Sequence, residues 1–171
     1  MPRPADRKGN VVTAVPHPLA TRPDRGLQRR RRLRAARTQV GLSVQTRLLP
    51  VVSERRRQRL HVCGAANTLT ALGVRVCVLG PPTPWPRTRC VVAAGPLGRL
   101  GGLAVATALR GEPVRAAAEA PEGAAVCPVA VRYRLAGDEG YLPADDVPTS
   151  VAGIAALRGL VVEVHLLPPA A

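Results

Sequence analysis

The amino-acid sequence predicts an α/β protein, a sheet with flanking helices, preceded by a basic disordered arm. Three observations carry that prediction. Strand-like runs of Val, Leu and Ala recur at GVRVCVLG, CVVAA, VCPVAVRYRL and LVVEVHLL, with helix-length segments between them. Charge is polarised along the chain. Residues 1–59 hold 16 Arg and Lys against three acids, a net of +13, whereas residues 60–171 hold nine Arg against eight acids, a net of +1. The 171 residues suffice for one domain, but there is no Phe, one Trp, two Tyr and a single Ile, so any core must be Val, Leu and Ala.

Residues 1–46 are rich in Pro and Arg and show little apolar periodicity, which predicts an arm that stays disordered. Within it RRRRLRAAR (Arg29–Arg37) has the residue types of a short basic helix but almost no apolar face to bury. Ser53 is placed to cap a helix from Glu54 to Leu72, with Leu60, Cys63, Ala66 and Leu69 as its stripe and Gly73 as its stop. Val74, Val76 and Val78 alternate into a strand, and Pro81–Pro86 forms a stiff connector. Cys90–Ala94 reads as a second strand and Leu100–Arg110 as a helix. Residues 112–125 carry no clear period. Val126–Leu135 is a strongly apolar third strand. A helix starting at Thr149 or Asp146 runs to Arg158, Gly159 ends it, and Leu160–Leu167 is the last strand.

The four cysteines, Cys63, Cys77, Cys90 and Cys127, include no C-x-x-C pair, and His17, His61 and His165 are scattered. A zinc site needs closely spaced ligand pairs, so no metal is expected. The basic N-terminus is not followed by an apolar signal core, and His61–Val74, a stretch free of charged side chains, is too short to span a bilayer. These features predict reduced thiols and a cytoplasmic setting.

GPLGRLGG (Gly95–Gly102) sits between a strand and a helix, a common place for chemistry. Its glycines fit neither the dinucleotide spacing G-x-G-x-x-G nor the phosphate-loop spacing with its Lys and hydroxyl. A flexible connection is the simpler reading, with a helix N-terminus and Arg99 able to attract an anion. His61 and His165 read as structural residues, Asp145 and Asp146 as helix-start acids, and Glu122 and Glu163 have no evident partner.

Four stretches in this order resemble a known family. SERRRQRLHVCGAANTLTALGVRVCVLGPPTPWP resembles its first helix and strand, and CVVA followed by LAVATALRGEPV the strand and helix that flank its catalytic motif. PVAVRYRL resembles the strand after its substrate-binding segment, and ADDVPTSVAGIAALRGLVVEVHLLPP its closing helix and strand. The family is the lysophospholipid acyltransferases of the 1-acylglycerol-3-phosphate type, as found in actinobacteria. The resemblance covers most of residues 47–171, making that segment a truncated acyltransferase-like domain behind the arm 1–46. It implies an acyltransferase-type sheet and, in phospholipid synthesis, acyl transfer from acyl-CoA or acyl-carrier protein to lysophosphatidate. No cofactor is implied.

The departures bear on the chemistry. The family's Asn-His-x-x-x-x-Asp follows the VVA strand, with His as general base and Asp orienting it. Here Ala94 and Gly95 replace Asn and His, and the Asp position falls on Leu100, or on Gly101 with one residue inserted. The second signature, Phe-Pro-Glu-Gly-Thr, leaves Glu122 and Gly123 as its remnant in one alignment. In the preferred alignment, GAAVC (Gly123–Cys127) is the strand that precedes that signature and the segment after it is missing.

The expected function is therefore an acyltransferase-family protein that has lost catalysis. A working enzyme would need His61 or His165 as its base. The alternative is a non-enzymatic protein that binds polyanions through Arg29, Arg30, Arg31, Arg32, Arg34, Arg55, Arg56 and Arg57. The family context favours an anionic membrane, with the protein peripheral on the inner face of the cell membrane. Charge alone admits nucleic acid, although the arm lacks aromatics to stack on single strands.

Overall fold

The computed structural model describes residues 25–48, 53–81 and 83–170. The elements are α1 (Arg25–Leu48), α2 (Glu54–Leu72), β1 (Arg75–Leu79), β2 (Arg89–Ala93), α3 (Gly98–Ala108), β3 (Val114–Arg115), β4 (Ala125–Leu135), α4 (Val151–Ala156) and β5 (Leu160–Leu166). Short 3-10 turns stand at Ala117–Glu119 and Ala144–Asp146.

The strands form one mixed sheet in the order β1-β5-β4-β2-β3. β1 runs parallel to β5, and β2 runs parallel to β3 and β4. β4 runs antiparallel to β5. The register sorts side chains with period two. Val76 and Tyr133 flank Val162, and Val78 and Val131 flank Val164, all on the face toward the helices. There Val91, Val129, Tyr133, Leu160, Val162 and Val164 join Leu69, Leu72, Leu100, Ala104, Val105 and Ile154 in one buried core. α3 lies across β1, β5 and β4, α2 packs on α3, and α1 packs on α2 and α4. The opposite sheet face carries Cys77, Glu163, His165, Arg132 and Arg134.

The α/β class is as expected, and the strands and α2 fall within a residue or two of their expected ends. Gly73 stops α2 in the left-handed region at φ 73°, with Val74 N–H donating to Leu69 O at 2.9 Å. Three local expectations are corrected. The Ser53 side chain makes no capping bond; its backbone carbonyl accepts instead, from Arg56 and Arg57. The cap of α4 is Ser150, whose hydroxyl accepts from Gly153 N–H at 3.0 Å, rather than Thr149 or Asp146. The buried face of α2 is Gly64, Ala65, Thr68, Leu69 and Leu72, which leaves Cys63 exposed. Its small residues let α2 sit close between its neighbours, and Thr68 Oγ1 donates to Gly64 O at 2.8 Å.

The largest difference is the arm. From Arg25 the chain is a 24-residue helix, not a disordered segment. The boundary expected at residue 46 falls inside it, and residues 1–24 lie outside the described residues. α1 docks through side chains that a search for apolar periodicity counts as polar or too small. Ala35 is buried in the core, and Gln28 Nε2 donates to Ala152 O at 3.1 Å. Arg31 Nη1 donates to Leu157 O at 2.9 Å and Ala155 O at 3.4 Å. Those carbonyls end α4, where no further turn of helix supplies donors, so Arg31 meets an unsatisfied need.

Candidate functional site

The turn from β2 to α3 is where the resemblance places catalysis. Ala94 N–H donates to Val129 O at 2.9 Å, which extends the β2–β4 ladder by one residue and aims the chain out of the sheet. Ala94 and Gly95 are exposed, and neither offers a titratable group. Leu100 is buried in the core, one turn into α3. A Cβ placed on Gly101 would stand 2.9 Å from the Tyr133 hydroxyl. That hydroxyl donates to Leu97 O at 3.1 Å, and burial pushes its pKa up. Both positions that would orient a base therefore point into packed protein.

Glu122 and Gly123 lie in an exposed turn just before β4. Arg89 opens β2 opposite Ala125, and Ala93 closes it opposite Val129. The Glu122–Gly123 turn is thus at the opposite end of β2 from Ala94–Gly95, roughly 16 Å away at strand rise. The structure does not bring Ala94–Gly95 and Glu122–Gly123 together.

The two histidines are also apart. His61 is exposed on α2 and lines a groove of about 560 Å³ with Glu54, Arg57 and Glu112. Both acids there are engaged. Glu54 pairs with Arg57 at 3.1 Å, and Glu112 holds Arg89 through both oxygens, at 2.7 and 3.1 Å. Neither carboxylate is bonded to His61. His165 lies on the open face of the sheet, on β5.

That open face holds a polar cluster that sequence reading did not find. Glu163, for which the sequence shows no evident partner, accepts from Arg134 Nε at 2.5 Å and from the Tyr141 hydroxyl at 3.1 Å. His165 Nε2 is 3.3 Å from Glu163 Oε2, buried and without a hydrogen bond of good angle. Arg132 stacks over the Tyr141 ring at 4.9 Å. Arg134, followed by Tyr141 and His165, holds the Glu163 carboxyl below the usual carboxylate range. A carboxylate so committed is a poor general base. The signal was the alternation in VRYRL and VEVHL: antiparallel pairing sets Arg132 opposite Glu163. Tyr141 comes from a loop, so no local pattern announces it.

The arginines divide into two groups. Arg29, Arg30, Arg32 and Arg34 are exposed on α1. Arg31 is turned inward as the clamp on α4, its guanidinium also lying against Gly73, so it leaves the expected polyanion-binding set. Arg55, Arg56 and Arg57 are exposed at the start of α2, where the helix dipole disfavours cations, and Glu54 neutralises only Arg57. Arg31 touches the C-terminal end of α2, so the α1 cluster lies at the far end of that helix from Arg55–Arg57.

Among the described residues no group of His, Cys, Asp and Glu stands ready to hold a metal ion. Cys63, Cys77, Cys90 and Cys127 are free thiols, and burial raises the pKa of Cys127, which keeps it protonated. No described helix is long and apolar enough to cross a membrane. No family model, curated protein or solved structure matches the chain.

Proposed function

We propose that the chain is a glycerolipid acyltransferase-type domain that has lost acyl-transfer chemistry. The observation that supports this reading is the β2–α3 turn. Acyl transfer needs a base within hydrogen-bond reach of the acceptor hydroxyl. The turn presents Ala94 and Gly95, with Leu100 and Gly101 packed inward behind them. The test is acyl transfer by the full chain from acyl-CoA or acyl-carrier protein to lysophosphatidate. The expected result is no product above the protein-free control. Turnover that disappears in His61→Ala or His165→Ala would identify a different base and overturn the reading.

A second reading is favoured by the exposed face of α1. Arg25, Arg29 and Arg32 stand at i, i+4 and i+7, and so do Arg30, Arg34 and Arg37. All six are exposed, and Leu33, 54% exposed, lies between the two rows. Residues at this spacing stack along one side of a helix, so α1 carries two parallel rails of guanidinium. With Leu33 the single large apolar side chain between them, the face can neutralise phosphates but has little to insert among acyl chains. This favours a phosphodiester backbone over the lipid surface that the family context suggests.

A further inference from the structure

We propose that the groove between the first half of α2 and the corner after α3 binds a soluble ligand carrying linked phosphates, of which pyrophosphate is the simplest. This goes beyond both readings above, since it needs neither acyl transfer nor α1. The groove, about 630 Å³, is lined by Arg55, Gln58, Arg59, Val62, Cys63 and Arg110. Arg55 and Arg59 are one turn apart on α2, so their charges repel unless an anion lies between them. Arg110, from the corner after α3, is the third arginine that lines it.

The two carboxylates nearest in sequence to Arg55 and Arg110 are paired with other arginines. Glu54 is taken by Arg57, and Glu112 is taken by Arg89 on both oxygens. Among the described residues Arg55, Arg59 and Arg110 have no ion pair. Other arginines of the body, Arg89 and Arg134, do have carboxylate partners.

The walls are fixed relative to each other. Arg110 has φ 52°, the one non-glycine residue in the left-handed region among those described. Gly111 follows at φ 82° and donates to Ala106 O at 2.8 Å. Gln58 Nε2 donates to Gly111 O at 2.9 Å. A Cβ on Gly111 would stand 2.8 Å from Val62 and 2.9 Å from Gln58, so the corner is seated directly on α2. Three arginines lining one open groove suit a ligand with several anionic oxygens better than a single phosphate ion.

Cys63 lines the groove and is exposed, which supplies a reporter in the intact protein. Its alkylation by N-ethylmaleimide is followed by peptide mass spectrometry. Cys77, half-buried on the opposite sheet face, serves as internal control. Millimolar pyrophosphate is expected to slow alkylation of Cys63 several-fold and leave Cys77 unchanged, with inorganic phosphate much weaker. Arg59→Gln and Arg110→Gly should each abolish the protection. Glycine accepts the backbone of position 110, so the second variant keeps the fold. Equal protection in the variants, or by sulfate at matched ionic strength, would overturn the proposal. Protection by phosphatidate vesicles and not by pyrophosphate would assign the groove to a lipid headgroup and overturn it as well.

Discussion

Glu163 is 7% exposed and charged, and both of its hydrogen-bond donors come from elsewhere in the chain: Arg134 from β4, Tyr141 from a loop. This is why its surroundings could not be read locally, although the alternation on both strands held half the answer. Its environment predicts a pH dependence. The folded carboxyl titrates below its unfolded value of about 4.3, so the stability it contributes is fully present above that value. That stability is lost as pH falls through the folded pKa. The melting temperature should therefore fall as pH drops below the unfolded carboxylate value and on toward the lower folded one. Glu163→Gln should be less stable at neutral pH and show a flatter acid limb. A thermal melt series over that range checks this, and an unchanged acid limb in the variant would place the sensitive group elsewhere.

Among the elements, those whose apolar residues repeat at a strand or helix period were legible, from α2 through β5. β3 and the turn at Ala117–Glu119 were not, because two or three residues carry no period. α1 escaped for a different reason. Its docking face is Gln28, Arg31 and Ala35, so it looks polar all round and yet is held by hydrogen bonds to carbonyls of α4 and its C-cap. Neighbouring arginines of similar appearance should then behave differently. Arg31→Ala leaves Leu157 O without its donor and should lower unfolding free energy by about 1–2 kcal/mol. Arg29→Ala, on the exposed side, should stay within about 0.5 kcal/mol. Urea titration of the two variants separates a clamp from a solvated charge.

At the scale of the whole molecule the charge asymmetry was plain from composition, but its arrangement was not. The fold puts one arginine set on the outer face of α1 and another at the distant start of α2. Only the first forms two rails free of carboxylate partners among the described residues. If α1 meets a phosphodiester backbone, binding must release counterions, and affinity must fall with salt by a slope of about 0.9 per duplex phosphate neutralised. Replacing Arg29, Arg30, Arg32 and Arg34 together with Gln should weaken duplex binding whatever the sequence and reduce that slope by about 3 to 4. Arg55→Gln with Arg56→Gln should leave the slope from α1 in place, because the two clusters are a helix length apart. Fluorescence anisotropy with labelled duplex RNA across a salt series reads the slope, and flotation with anionic liposomes runs beside it. A slope that does not change when the four arginines are replaced would remove α1 as the contact. Loss of liposome flotation alone in that variant would assign the helix to an anionic membrane surface instead.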